Sequence, residues 1–264
     1  RITLISGRAS AENQLYLEYL IQQNKPGLLG AVSTLLGMLD INILTVNSIE
    51  EDYRGFLLQC ASEEKAHALK VALAKVDSIT LTAFRSPTLL DRLALRHGKR
   101  ITMVDGNPPI YRFIREELGL LVDFLGDTLA EGGNQIIGIR GVPRVGKTEA
   151  AISACVCANK KWLLLSSTII RQTLRTTLLS DEGEDSVFLI DGITSTSRGD
   201  GAHWELLSRV MELPTPKIIE HPDIFLRDGR LKIGFDLLIE IRNHPQDDLG
   251  IEDIAISFSS FDIS

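Results

Sequence analysis

The segment Gly141-Val-Pro-Arg-Val-Gly-Lys-Thr148 follows an apolar run ending at Ile139 and precedes a helix-forming run over 147–160. Few sequence features constrain a fold as tightly. The two glycines let the backbone turn sharply and expose its N–H groups on one side. A helix starting near Lys147 aims its unpaired N–H groups and positive dipole end into the same turn. The spacing G-x-x-x-x-G-K-[ST] between a strand and a helix therefore reads as a phosphate-binding loop. Gly141, Val142, Pro143, Arg144, Val145 and Gly146 form the cradle. Lys147 neutralises the β- and γ-phosphates, and the Thr148 hydroxyl completes a magnesium shell. Arg144 reads as a solvent-facing variable position. The expected cofactors are ATP, ahead of GTP, and Mg2+.

A second segment supports this reading. Val187-Phe-Leu-Ile-Asp191 places a carboxylate at the end of a buried strand, where open α/β sheets gather their ligands. Asp191 there would hold the magnesium together with Thr148, usually through water.

Strand-like runs at 162–166, 187–190, 217–220 and 236–241 alternate with helical stretches at 147–160, 169–180 and 202–212. That alternation predicts a parallel sheet covered on both faces, a three-layer αβα domain over 134–264. Upstream, residues 14–86 read in the order βαββαβ, which fits a ferredoxin-like α+β sandwich. Between them, 87–133 reads as a helical connector closed by Gly132-Gly133, with an amphipathic helix from about 110 to 130.

The net charge of −7 weighs against non-specific nucleic-acid binding, which wants a basic face. No apolar run reaches the roughly 20 residues of a membrane span. Three cysteines are too few for a disulfide framework. A soluble, cytoplasmic protein is expected.

Ser166-Ser-Thr-Ile-Ile-Arg-Gln-Thr-Leu-Arg175 resembles the Ser/Thr-Asp-x-Ile-Arg segment of small-molecule P-loop kinases. The resemblance implies that Arg171 holds the acceptor or its phosphate, making Lys147, Asp191 and Arg171 the catalytic set. It also puts Thr168 where those kinases carry an Asp, and a threonine cannot act as a general base at neutral pH. Arg171 and Arg175 sit i, i+4, so both can reach one anion or form a solvated basic face. Asn159-Lys-Lys-Trp162 matches a guanine-reading Asn-Lys-x-Asp only in its first two residues and reads as a helix end.

Asn24-Lys-Pro-Gly-Leu-Leu-Gly-Ala-Val32 followed by Leu39-Asp-Ile-Asn-Ile-Leu44 resembles the ACT domain. That resemblance implies a regulatory unit that pairs into a homodimer and can take an amino acid or another small effector near Asn24 and Gly27–Leu29. Over residues 14 to about 262 the chain resembles an uncharacterised Bacillus-type bacterial family that fuses an ACT unit to a P-loop domain. Segments such as Pro143-Arg-Val-Gly-Lys-Thr-Glu149, His203-Trp-Glu-Leu206 and Glu220-His-Pro-Asp-Ile-Phe225 carry that likeness.

Other residues have two readings. Arg198, in a Thr/Ser/Gly-rich loop at 193–201, and Arg227 and Arg230 could close over phosphates or sit at the surface. Arg242-Asn-His244 follows the last strand, where a base could bind. His203, Trp204 and Glu205 either face the site or pack. Glu220 to Asp223 could form an acceptor-side cluster. Glu149 lies near the magnesium or favours the helix start. Cys155 and Cys157 fall on different sides of one helix and cannot chelate together. Two functions from different classes stand: a kinase-like phosphotransferase or NTPase, and a non-catalytic nucleotide- and effector-sensing regulator.

Overall fold

The computed structural model describes residues 13–165, 185–198, 201–231 and 233–247. They divide into two compact units, one ending at Arg100 and one beginning at Ile101. The chain is a mixed α/β protein with one sheet in each unit.

The first unit runs β1 (Gln14–Ile21), α1 (Leu28–Met38), β2 (Asn42–Ile49), β3 (Tyr53–Gln59), α2 (Glu63–Leu73), β4 (Ile79–Arg85) and α3 (Leu89–His97). Its four strands lie in the order β2-β3-β1-β4, with every neighbouring pair antiparallel. In β1, four consecutive residues, Tyr16 to Tyr19, are buried. A sheet with one wet face would bury only every second residue. The reason is that both faces are covered. Leu17, Tyr19, Phe56 and Leu58 pack with Val32 and Leu36 of α1 and Leu69 and Leu73 of α2. Tyr16 and Ile49 pack with Ala94 and Leu95 of α3.

The α3 side carries a buried carboxylate. Glu18 accepts hydrogen bonds from the Tyr16 hydroxyl at 2.7 Å and the Thr82 hydroxyl at 2.7 Å, and it pairs with Arg100 at 2.9 Å. Burial, followed by the bond to Glu18 and its negative charge, drives the Tyr16 phenol far above its ordinary range. Thr88 and Asp91 form a capping box that starts α3, and Asp91 also pairs with Arg85.

The second unit runs β5 (Thr102–Val104), β6 (Ile110–Ile114), a single 3-10 turn, α4 (Leu118–Glu131), β7 (Ile136–Gly141), α5 (Lys147–Cys157), β8 (Lys161–Leu165), β9 (Ser186–Asp191), α6 (Gly192–Arg198), α7 (Gly201–Glu212), β10 (Lys217–Glu220), α8 (Pro222–Asp228) and β11 (Leu237–Arg242). Seven strands form one sheet in the order β5-β6-β11-β7-β10-β9-β8. The β5–β6 pair is antiparallel and the other pairs are parallel. β9 is buried along Ser186 to Ile190, as a strand covered on both faces must be. Phe188, Ile190 and Ile219 pack against Leu207 and Val210 of α7 and Phe225 of α8.

Three expectations are corrected. The helix expected from about 110 begins at Leu118, because Ile110–Ile114 pairs in register with Leu238–Arg242 as β6. Its alternating Ile-Tyr-Arg-Phe-Ile satisfies a strand beside β11, and that pairing outweighs a helical stripe. Glu117 marks the stop by accepting the Ile114 N–H at 2.9 Å. The stretch 87–133 is not one connector: α3 belongs to the first unit, and β5, β6 and α4 belong to the second. The expected loop at 193–201 is helical from Gly192 to Arg198. The helix expected at 169–180 lies outside the described residues. Among the described residues, no helix is long and apolar enough to cross a membrane.

Breaking a buried, multiply bonded carboxylate strands its partners. Glu18→Ala should therefore destabilise the chain by about 2–3 kcal/mol. Urea denaturation followed by far-UV circular dichroism measures this; a change below about 0.5 kcal/mol would show that the network contributes nothing.

Candidate functional site

The segment Gly141–Thr148 joins the carboxyl end of β7 to the start of α5. Gly146 caps α5 at φ 107°, a backbone state that L side chains rarely adopt, and no side chain caps the helix. The first N–H groups of α5 have no intrahelical acceptor, so they open onto the loop. Arg144 is exposed and Val145 is buried beneath the turn.

Lys147 is buried, at 6% exposure. Its ammonium donates to the Gly141 and Val142 carbonyl oxygens, each at 3.0 Å. Two of its three N–H bonds thus hold the loop around it. Burial lowers its proton affinity, against the opposing pull of Glu220, Asp191 and Glu149. The Thr148 hydroxyl, on the exposed first turn, donates to Glu220 Oε1 at 2.6 Å.

Glu220 ends β10 and Asp191 ends β9, in register beside one another. Burial raises the Glu220 carboxyl above its ordinary range, while the Thr148 bond and Lys147 act against that rise. Asp191 accepts the Ile193 N–H at 2.9 Å through Oδ1 and the Thr194 hydroxyl at 2.7 Å through Oδ2. It therefore caps α6. Lys147, Thr148, Glu149, Asp191 and Glu220 gather at one end of the sheet, within electrostatic reach of one another.

The other candidates separate from this cluster. His203 is buried, Trp204 packs beside Phe225, and Glu205 pairs with Arg209. The Arg230 guanidinium stacks over Trp204 at 4.8 Å. Arg242 joins Glu240, a carboxylate 2% exposed that also pairs with Arg140 at 2.7 Å and Arg112 at 3.2 Å. Burial pushes Glu240 up, but the bonds from Arg140 and Arg242 outweigh it and hold the carboxyl below its ordinary range. The expected cluster at 220–223 splits: Glu220 meets Thr148, whereas Asp223 faces Arg140 at 3.7 Å. Asn243 and His244 follow β11, and the His244 N–H donates to Asp247 at 2.9 Å. Cys155 is buried and Cys157 exposed. Thr168, Arg171 and Arg175 lie outside the described residues.

In the first unit, the turn after β1 borders a cavity of about 210 Å3 lined by Tyr19, Asn24, Lys25, Gly27, Leu28 and Arg54, among others. The Nε of Arg54 is buried without a hydrogen-bond partner.

The Thr148–Glu220 bond spans 72 residues, so no local pattern announces it. One signal does exist: Lys217-Ile-Ile-Glu220 ends in a carboxylate as Phe188-Leu-Ile-Asp191 does.

His221, next to Glu220, is buried with a left-handed backbone at φ 56°. Burial, with Lys147 nearby, lowers its imidazole from 6.5 to about 4. The unfolded chain therefore binds the extra proton between these values, so stability is full above about pH 6.5 and falls as pH drops toward 4. His221→Asn keeps a residue tolerant of this backbone and removes the titration. Between pH 7 and 4.5 the variant's stability should fall by about 2 kcal/mol less than that of wild type in urea titrations; equal falls would remove His221 as the cause.

Comparison with known proteins gives a family. The chain is 44% identical over 261 residues to the Bacillus subtilis protein described as "Uncharacterized protein YmfK", covering 96% of this chain and 97% of that protein. A solved structure of phospho-2-dehydro-3-deoxyheptonate aldolase from Thermotoga maritima is similar at a TM-score of 0.22 and 12% identity, covering 86% of this chain and 69% of that one. A likeness that low carries no argument. The profile of the family described as "Protein of unknown function (DUF3388)" matches residues 81–261, more than half of the sequence. The chain belongs to the DUF3388 family, a Bacillus-type group.

Proposed function

We propose that this chain binds ATP together with Mg2+ at the loop Gly141–Thr148. One observation carries the reading: a buried lysine at an uncapped helix N-terminus, its ammonium seated on the carbonyls of a glycine-framed loop at the carboxyl end of a central strand. The donors fit a polyphosphate. The open N–H groups of α5 would donate to phosphate oxygens, and Lys147 supplies the positive charge near them. The Thr148 hydroxyl, with Glu220, Asp191 and Glu149 close by, suits a hard divalent cation that prefers oxygen and water. Magnesium, when bound, would neutralise phosphate charge.

The catalytic extension is a kinase-like phosphotransfer or NTP hydrolysis, in which Lys147 serves at the nucleotide and Arg171 at the acceptor, with Asp191 at the neighbouring strand end. The second reading is a nucleotide- and effector-sensing regulator. The threonine at position 168, where the resembling kinases carry an Asp, favours it. The first unit supports either. Its βαββαβ order with strands β2-β3-β1-β4 fits an ACT-like ferredoxin fold. The cavity at Asn24–Gly27 would take an amino acid or similar anion, whose carboxylate Lys25 and Arg54 would meet. A homodimer paired through these units completes the proposal.

Calorimetry with ATP and Mg2+ tests the core of it. Lys147→Ala should weaken binding by roughly a hundredfold or more, because it deletes a charge-assisted bond at a buried site. Unchanged affinity would overturn the reading. Phosphate release from ATP and GTP, screened with amino acids, then separates the two extensions: turnover supports the enzyme, and tight binding without turnover supports the sensor.

A further inference from the structure

Two carboxylates end neighbouring strands beside the loop, and the structure gives them different work. β10 lies next to β7, and β9 lies one strand further out. With strands about 4.8 Å apart, the Asp191 backbone is about 10 Å from the β7 line and the Glu220 backbone about half that. Each Asp191 oxygen accepts a bond from α6, at 2.9 Å from the Ile193 N–H and 2.7 Å from the Thr194 hydroxyl. Glu220 instead receives the Thr148 hydroxyl at 2.6 Å.

A hydroxyl has one hydrogen and two lone pairs. By taking the hydrogen, Glu220 orients Thr148 so that its lone pairs remain for a cation. A carboxylate in that place also adds negative charge where the ion would sit. We infer that Glu220, rather than Asp191, is the positioning carboxylate of the magnesium site, acting through the Thr148 hydroxyl, while Asp191 shapes the start of α6. The inference rests on the nucleotide-binding reading and deepens it.

Glu220→Gln is the informative variant, because an amide oxygen still accepts from Thr148 while the charge is gone. ATP affinity is measured by calorimetry with Mg2+ and with EDTA, and Mn2+ electron paramagnetic resonance reports the ion directly. Glu220→Gln should weaken the Mg2+–ATP complex by about tenfold and shift the Mn2+ spectrum, without weakening the binding of metal-free ATP. Asp191→Ala, which removes the cap of α6, should lower the melting temperature and weaken the Mg2+–ATP complex less than Glu220→Gln does. Adding Glu220→Gln to Thr148→Val should weaken binding little beyond Thr148→Val alone, as expected of residues acting in series. A wild-type metal dependence in Glu220→Gln, or a larger loss of metal-dependent affinity in Asp191→Ala than in Glu220→Gln, overturns the inference while ATP binding stands. No ATP affinity in the wild-type chain, with or without metal, overturns both.

Discussion

Close backbone approach at the carboxyl end of the second sheet sets everything the candidate site does. A Cβ on Gly141 would lie 2.6 Å from the Ile241 carbonyl oxygen. A Cβ on Gly192 would lie 2.7 Å from the His221 oxygen and 2.8 Å from the Glu220 oxygen. Those neighbours are backbone, so they cannot step aside as a flexible side chain can. Glycine at these two positions lets β7 end flush against β11, and lets the chain leave β9 flush against β10. The strand ends therefore converge, and the loop meets Glu220 although Thr148 and Glu220 stand 72 positions apart.

How legible this is in the sequence follows from which forces act locally. The loop Gly141–Thr148 is readable because its chemistry is written in eight adjacent residues. The order of β1 to β4 is readable because each element carries its own periodicity and turn. β6 is not, because Ile110–Ile114 becomes a strand only when β11, more than a hundred residues later, lies beside it. α6 is not, because Thr- and Ser-rich residues look like a loop until Asp191 caps them. The bond between Glu220 and Thr148 depends on strand order, which no local pattern encodes. Asp191 is legible as the end of a buried strand, but its distance from the loop is not.

Polar groups buried elsewhere show the same dependence on tertiary placement. Lys217 is fully buried at the opposite end of β10 from Glu220. Its ammonium donates to Asn134 Oδ1 at 2.6 Å and to the Met211 carbonyl at 3.3 Å, and it also meets the Leu213 carbonyl. Burial lowers its pKa to about 8. The acceptors at the end of α7 nonetheless suit a cation, since the helix presents its negative dipole end there. Lys217 therefore ties α7 to β10 as Glu240 ties β6, β7 and β11 together. One short strand thus has a lysine anchoring its start and a glutamate bonded to the loop at its finish.

The electrostatics of the loop bear on which form of the nucleotide it would accept. Lys147 contributes one positive charge, and Glu220, Asp191 and Glu149 surround it with carboxylates. When all three are ionised the cluster is negative, so a bare polyphosphate would meet repulsion from the same groups that hold the lysine in place. A divalent ion bound there with the phosphates would offset that negative charge. Under the proposed function, the acidic surround thus selects the metal complex over the free nucleotide, which a glycine loop and a lysine alone would not do.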